Sequence, residues 1–158
     1  MNQKINQQQI NQQQAGLTVQ WFAAVLFREQ CILAKALAKL SAKLSAIDYS
    51  STVVRFDFTQ YYQSEMGDNL HRVLVSFTDL APPTRLIEIK HYTSEIEQSF
   101  SQQNRRLINI DPGYLDLFKV VLASYKARGH KIYLGQSVWA DPTLYYQKGQ
   151  FQSFPWSF

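Results

Sequence analysis

The chain carries one cysteine, Cys31, so no intrachain disulfide can form. That excludes a secreted, disulfide-stapled design and leaves a reducing cytosol as the compartment that fits. The longest apolar run, Trp21–Phe27, has only seven residues. A membrane-spanning helix needs about 18 or more, so no span and no membrane partner are expected. The N-terminus lacks the basic start, apolar middle and small-residue cleavage site of a signal peptide, and a cytoplasmic location is expected. No Gly-x-x-x-x-Gly-Lys-Ser/Thr or Gly-x-Gly-x-x-Gly string occurs, so neither common phosphate-cradling loop is present. The histidines His71, His91 and His130 are far apart, and Cys-x-x-Cys is absent. No zinc site is expected, whereas Mg²⁺ held by paired carboxylates stays open. No motif decides whether the chain is an enzyme.

What is present describes a folded protein. Of the 158 residues, 46% are hydrophobic and 18% charged, enough apolar surface for a core without metal or disulfide. Residues 1–16 differ: they hold the tandem pentapeptide Ile5–Gln9 and Ile10–Gln14. Such an Asn/Gln tract cannot offset the entropy of ordering. It reads as a disordered tail, and 17–158 reads as a single α+β domain.

Thr18–Phe27 is apolar and β-rich, as a strand buried on both faces would be. Gln30–Leu44 places Ile32, Leu33, Ala36, Leu37, Leu40 and Leu44 on one helical face. Lys35, Lys39 and Lys43 recur on the other side as a solvated stripe, and Cys31 reads as a buried or half-buried thiol of this helix. Thr52–Phe58 and Leu70–Phe77 read as strands. After Pro82-Pro83, Thr84 opens a helix to about Ser101 whose inner face is Leu86, Ile89, Ile96 and Phe100. Leu107, Ile108 and Ile110 form a short strand. The order β-α-β-β-α-β is the split pattern of ferredoxin-like folds. Asp111-Pro112-Gly113 reads as a turn, followed by a third helix, Leu115–Ala127, stopped by Gly129. Lys131–Ala140 and Thr143–Gln147 read as a C-terminal β-hairpin around Asp141-Pro142, with a further turn at Lys148-Gly149. The aromatic tail, 151–158, packs on the sheet. The expected class is therefore α+β: a ferredoxin-like core extended by a third helix and a hairpin.

Several segments carry a resemblance. They are Phe56–Tyr62 with Glu65-Met66-Gly67, Val75-Ser76-Phe77, and Asn109-Ile110-Asp111-Pro112-Gly113-Tyr114-Leu115 with Lys119 and Val121-Leu122-Ala123. His130–Gly135, Thr143–Tyr146 and Lys148–Phe151 complete the set. In this order they resemble the prokaryotic family called domain of unknown function 4416, over roughly residues 17–156. The resemblance implies no established activity. A GTP-binding label carried by some relatives has no P-loop beneath it here. Where the family tends to have Ala-Glu-Val-Thr-Leu, this chain has Ala140-Asp141-Pro142-Thr143-Leu144.

The residues themselves suggest a site. Asp111 follows a predicted strand end, where side chains and helix-start amides are commonly exposed. It is the first catalytic candidate, with His130 as acid/base or anion ligand and Asp57 on the face opposite Phe56 and Phe58. Arg105, Arg106, Asp111, Gly113, Tyr114, Lys119, Lys126 and Tyr133 are the ligand-binding candidates. Arg105 and Arg106 are adjacent, so only one can face a given pocket.

Three readings follow. The first is a domain that binds an anionic small molecule or nucleotide near Asp111–Tyr114, with or without catalysis; it needs these side chains to converge. The second is an RNA- or nucleic-acid-binding module, which needs an exposed sheet face bearing tyrosines and cations. The third is a non-enzymatic interaction domain with an apolar patch. Charge points to an anionic partner near the last third of the chain. Residues 1–104 hold nine basic and nine acidic side chains, whereas 105–158 hold seven and three, so the whole net charge of +4 lies in the last third.

Overall fold

A computed structural model describes residues 17–57, 62–103 and 105–157. The Asn/Gln-rich segment 1–16 lies outside the described residues, as does Phe58 at the end of the second expected strand.

The apolar stretch after Leu17 forms strand β1, Val19–Phe27. Its alternation places Trp21, Ala23, Val25 and Phe27 on one side, all buried. Helix α1, Gln30–Lys43, brings Ile32, Leu33, Ala36 and Leu40 onto that side. Strands β2, Ile47–Ser50, and β3, Val54–Arg55, lead to a single helical turn, α2, Gln63–Met66. Strand β4, His71–Ala81, returns Val73, Val75 and Phe77 to the core. A 3-10 turn over Pro83–Arg85 starts helix α3, Leu86–Ser99. The chain then runs through β5, Ile108–Leu115; β6, Lys119–Ser124; β7, Ile132–Gly135; β8, Val138–Gln147; and β9, Gln150–Ser153.

All nine strands join one antiparallel sheet in the order β2-β4-β1-β5-β6-β8-β7, with β3 on β4 and β9 on β8. The apolar faces of α1 and α3 pack on the same core, so both long helices cover one side of the sheet. Each fully buried aliphatic side chain there contributes about 1.5–3 kcal/mol. Leu26 alternates with Val25 and Phe27 and points to the other side. There Met66 and Leu70 cover it, with Phe56 and Tyr62 alongside.

This architecture corrects the expected one. The protein is mostly sheet, with two long helices among the described residues, not a ferredoxin-like core with a third helix. The segment expected to be that helix is the β5–β6 hairpin. Its Leu115, Phe118, Leu122 and Tyr125 have helical spacing, but Val120-Val121 prefers a pleated surface and Val121 and Ala123 alternate into the core. Asp111-Pro112-Gly113 is not a turn but the middle of β5. The expected hairpin around Asp141-Pro142 is also displaced, because both residues lie inside β8. The register slips there: Val121 faces Pro142 while Val120 faces Leu144, leaving Thr143 as the extra residue of a bulge. A bulge is where a strand tolerates proline. The real β7–β8 turn is Gln136-Ser137, both at positive φ. Such a turn usually announces itself by Asn-Gly, which is why it was not legible. Lys148-Gly149 does form the β8–β9 turn.

Two smaller readings also change. Cys31 is exposed in the first turn of α1, with Sγ 3.8 Å from a Glu29 carboxylate oxygen. Two lysines of the stripe lie in the seam between α1 and α3. Lys39 reaches Ser99 and sits over the Phe100 ring, and Lys43 pairs with Glu88 at 2.8 Å.

Candidate functional site

Strand β5 pairs with β1 along its whole length, but with β6 only over Gly113–Leu115. Upstream of Gly113 its outer edge has no neighbouring strand among the described residues. Pro112 has no N–H to offer there. Ile110, two residues earlier, points its backbone groups to the same side. Helix α3 satisfies them. Glu97 accepts the Ile110 N–H at 2.6 Å, and Lys90 donates to the Ile110 carbonyl at 3.5 Å.

These two buried charges anchor a larger network. Lys90 Nζ lies 3.3 Å from an Asp111 oxygen and 5.3 Å from the centre of the Tyr125 ring. The other Asp111 oxygen accepts from Asn109 Nδ2 at 2.8 Å. Asn109 Oδ1 accepts from Arg106 Nη1 at 2.8 Å, and the same nitrogen lies 3.3 Å from Glu97. The opposite edge of the guanidinium, Nε and Nη2, meets both oxygens of Glu65 at 2.6 and 2.7 Å. Three segments distant in sequence thus meet: α2 through Glu65, α3 through Lys90 and Glu97, and 106–111.

The network is graded from inside to outside. Lys90 and Glu97 are 7% exposed, whereas Arg106, Glu65 and Asp111 are 29–34% exposed. Burial raises the Glu97 carboxyl above its ordinary value, against the pull of Lys90, the Ile110 amide and Arg106. The Arg106 hydrogen bonds hold Glu65 below its ordinary value, with help from the Lys126 charge. Glu65 in turn raises the Arg106 guanidinium.

The other sequence-derived candidates, Lys126 aside, do not converge on this network. Gly113 is packed so closely that a Cβ would lie 2.5 Å from the Val121 carbonyl and 2.8 Å from the Phe22 ring. Tyr114 is half-buried edge-on to Trp21 at 5.9 Å, and burial raises its hydroxyl. Lys119 pairs with Asp116 at the β5–β6 turn. Arg105 is exposed and bridges Gln102 through its backbone. Lys126 is exposed after β6, near enough to Glu65 to act on it. Tyr133 lies on strand β7, 4.9 Å from the Trp139 ring. Asp57 is exposed just beyond β3. His130 belongs to a second cluster. It stacks on Trp156 at 4.6 Å and lies 3.3 Å from Asp141, which Lys131 holds at 2.8 Å. Among the described residues no three His, Cys, Asp or Glu side chains gather as a metal-holding group.

Sequence reasoning reached Asp111 and Arg106 but missed Lys90, Glu97 and Asn109. A signal existed. Lys90 and Glu97 fall on the same helical stripe as Leu86, Ile89, Thr93 and Ile96, all buried. A charge inside an apolar stripe is rarely buried without a partner.

Together these features define an antiparallel sheet protein with its two long helices on one face and a charged network filling an open strand edge. The chain belongs to the family described as Domain of unknown function (DUF4416), which matches residues 17–158. No curated protein and no solved structure matches it. No helix among the described residues is long and apolar enough to cross a membrane.

Proposed function

We propose that the protein binds a small anionic molecule, carrying a phosphate or carboxylate group, at the Nε/Nη2 edge of Arg106. One observation carries the reading. Arg106 is oriented from behind, where Asn109 and Glu97 hold Nη1, and it presents its two-pronged edge toward the half-exposed side. A guanidinium fixed in this way matches a carboxylate or phosphate with two parallel hydrogen bonds. Glu65 occupies that edge and acts as an internal stand-in for the ligand. The Lys126 charge adds positive potential at the same place. Asp111 secures Lys90 and Asn109 rather than touching the anion.

The sheet face away from α1 and α3 supports a nucleic-acid reading less well. By register it carries Arg72, Leu74, Trp139 and Asp141, with Tyr49 opposite Ser76 and Tyr133 opposite Trp139, but its cations are engaged: Arg72 sits over the Phe56 ring at 5.8 Å, and Lys131 is held between Asp141 and Ser124.

A thermal-shift screen of nucleoside mono-, di- and triphosphates and inorganic pyrophosphate, with and without Mg²⁺, tests the proposal. A ligand at a hundredfold excess over its Kd stabilises by about 2.7 kcal/mol, on the order of 5–10 °C for a chain of this size. The shift should vanish in Arg106→Gln. A shift that survives in Arg106→Gln overturns the reading, as does the absence of any shift in both the native protein and Glu65→Gln.

A further inference from the structure

A second arginine stands beside Arg106. Arg28 follows β1 directly after Phe27, whose partner in the sheet is Ile108, and Arg106 comes two residues before Ile108. The two arginines therefore lie at the same end of neighbouring strands. Alternation sends Arg28 to the side of Leu26, away from α1 and α3. Helix α2 is on that side, where Met66 covers Leu26.

Both arginines meet the same short segment. Arg106 holds the Glu65 carboxylate, and a Cβ at Gly67 would lie 2.9 Å from Arg28 Nη1. Two residues of chain span at most about 7 Å. Gly67 has φ +82°, a conformation that side chains disfavour, and its bare Cα lets the Arg28 guanidinium lie against the backbone. The two groups differ in occupancy. Glu65 fills the fork of Arg106. Arg28 is exposed, and among the described residues no carboxylate pairs with it, neither Glu29 beside it in the chain nor Asp68 beside Gly67.

One guanidinium fork takes one phosphate or carboxylate. A second guanidinium across a turn this short calls for a second anionic group joined to the first. Phosphoryl groups suit the pair better than carboxylates, because each brings more charge and more acceptor oxygens.

We propose that Arg28 is the second half of the site and that the ligand carries a diphosphate group, with one phosphoryl unit on the Arg106 fork and the other on Arg28 across Gly67. This rests on the Arg106 reading and adds the class of ligand to it.

Calorimetric titration of inorganic phosphate, inorganic pyrophosphate and succinate into the full chain, without divalent cations, tests the proposal. Pyrophosphate should bind the native protein about tenfold tighter than phosphate or more, the worth of one added hydrogen bond to a charged group. In Arg28→Gln most of that preference should disappear, while phosphate, which reaches only Arg106, binds as before. The melting temperature of Arg28→Gln should match the native value, because Arg28 is exposed. Equal native affinities for phosphate and pyrophosphate overturn the proposal, and they leave the Arg106 reading standing where Arg106→Gln abolishes both. A pyrophosphate preference that persists in Arg28→Gln also overturns it. Succinate binding tighter than pyrophosphate overturns the diphosphate assignment. Absence of binding by both phosphate and pyrophosphate, in the native protein and in Glu65→Gln alike, overturns the proposal and the Arg106 reading together.

Discussion

Glu97 Oε1 lies 2.6 Å from the backbone nitrogen of Ile110, so a helix side chain stands where a neighbouring strand would be. Lys90 completes the arrangement at the Ile110 carbonyl. The buried half of the network at this edge satisfies the backbone of β5, and its half-exposed side is where we propose the anion site at Arg106.

The structural half predicts a contrast between two substitutions of Glu97. Glu97→Ala leaves the Ile110 amide unmet and removes a buried partner of Lys90 and Arg106. Breaking such a group costs about 3–5 kcal/mol. Glu97→Gln keeps an acceptor for the amide, and its neutral form matches the state that burial favours. It should cost far less. Urea melts at neutral pH separate the two, and equal losses would contradict the strand-replacing role.

Gly113 predicts a packing effect without a ligand. A Cβ there would meet the Val121 carbonyl and the Phe22 ring, whereas one at Gly129 would meet nothing within 4 Å. Gly113→Ala should destabilise by about 1–3 kcal/mol through overpacking. Gly129→Ala should be neutral or slightly stabilising, by up to about 1 kcal/mol. Comparison of the two melting temperatures checks this, and equal values would show that β5 and β6 are not so closely apposed.

The seam between α1 and α3 predicts a pH effect. The Arg85 and Lys43 hydrogen bonds lower Glu88 from its ordinary 4.5 to about 2. A carboxyl lowered on folding contributes stability above its unfolded value, and that contribution is lost as pH falls through the folded one. Glu88→Gln should therefore cost stability at pH 7, by up to about 1 kcal/mol for so exposed a pair. The gap to the native protein should close between pH 4.5 and 2. Glu97 has the opposite sign: its raised value makes the folded state gain as pH falls through it. Denaturant melts of Glu88→Gln across this range give the answer, and a gap that persists unchanged at pH 2 would contradict the assignment.

The sequence was readable where one period dominated. β1, α1, β4 and α3 follow from the spacing of Trp21 to Phe27, Ile32 to Leu40, Val73 to Phe77 and Leu86 to Ile96. It misled where turn chemistry sat inside strands. Pro112 is tolerated because β6 has not yet joined β5, and Pro142 because β8 bulges. Both facts depend on partners distant in sequence. The site was half legible for the same reason. Asp111 and Arg106 are near neighbours in the chain, but Glu65 and Glu97 reach them only through the sheet.

The central claim is that the outward edge of Arg106 is an anion site held by Glu65 until a ligand arrives. Calorimetric titration of one phosphate-bearing hit from the thermal-shift screen into the native protein, Glu65→Gln and Arg106→Gln tests it most directly. Removal of the internal competitor should tighten binding in Glu65→Gln by roughly tenfold, equivalent to about 1.4 kcal/mol. Loss of the fork should abolish binding in Arg106→Gln. Equal affinities in all three proteins would contradict the account.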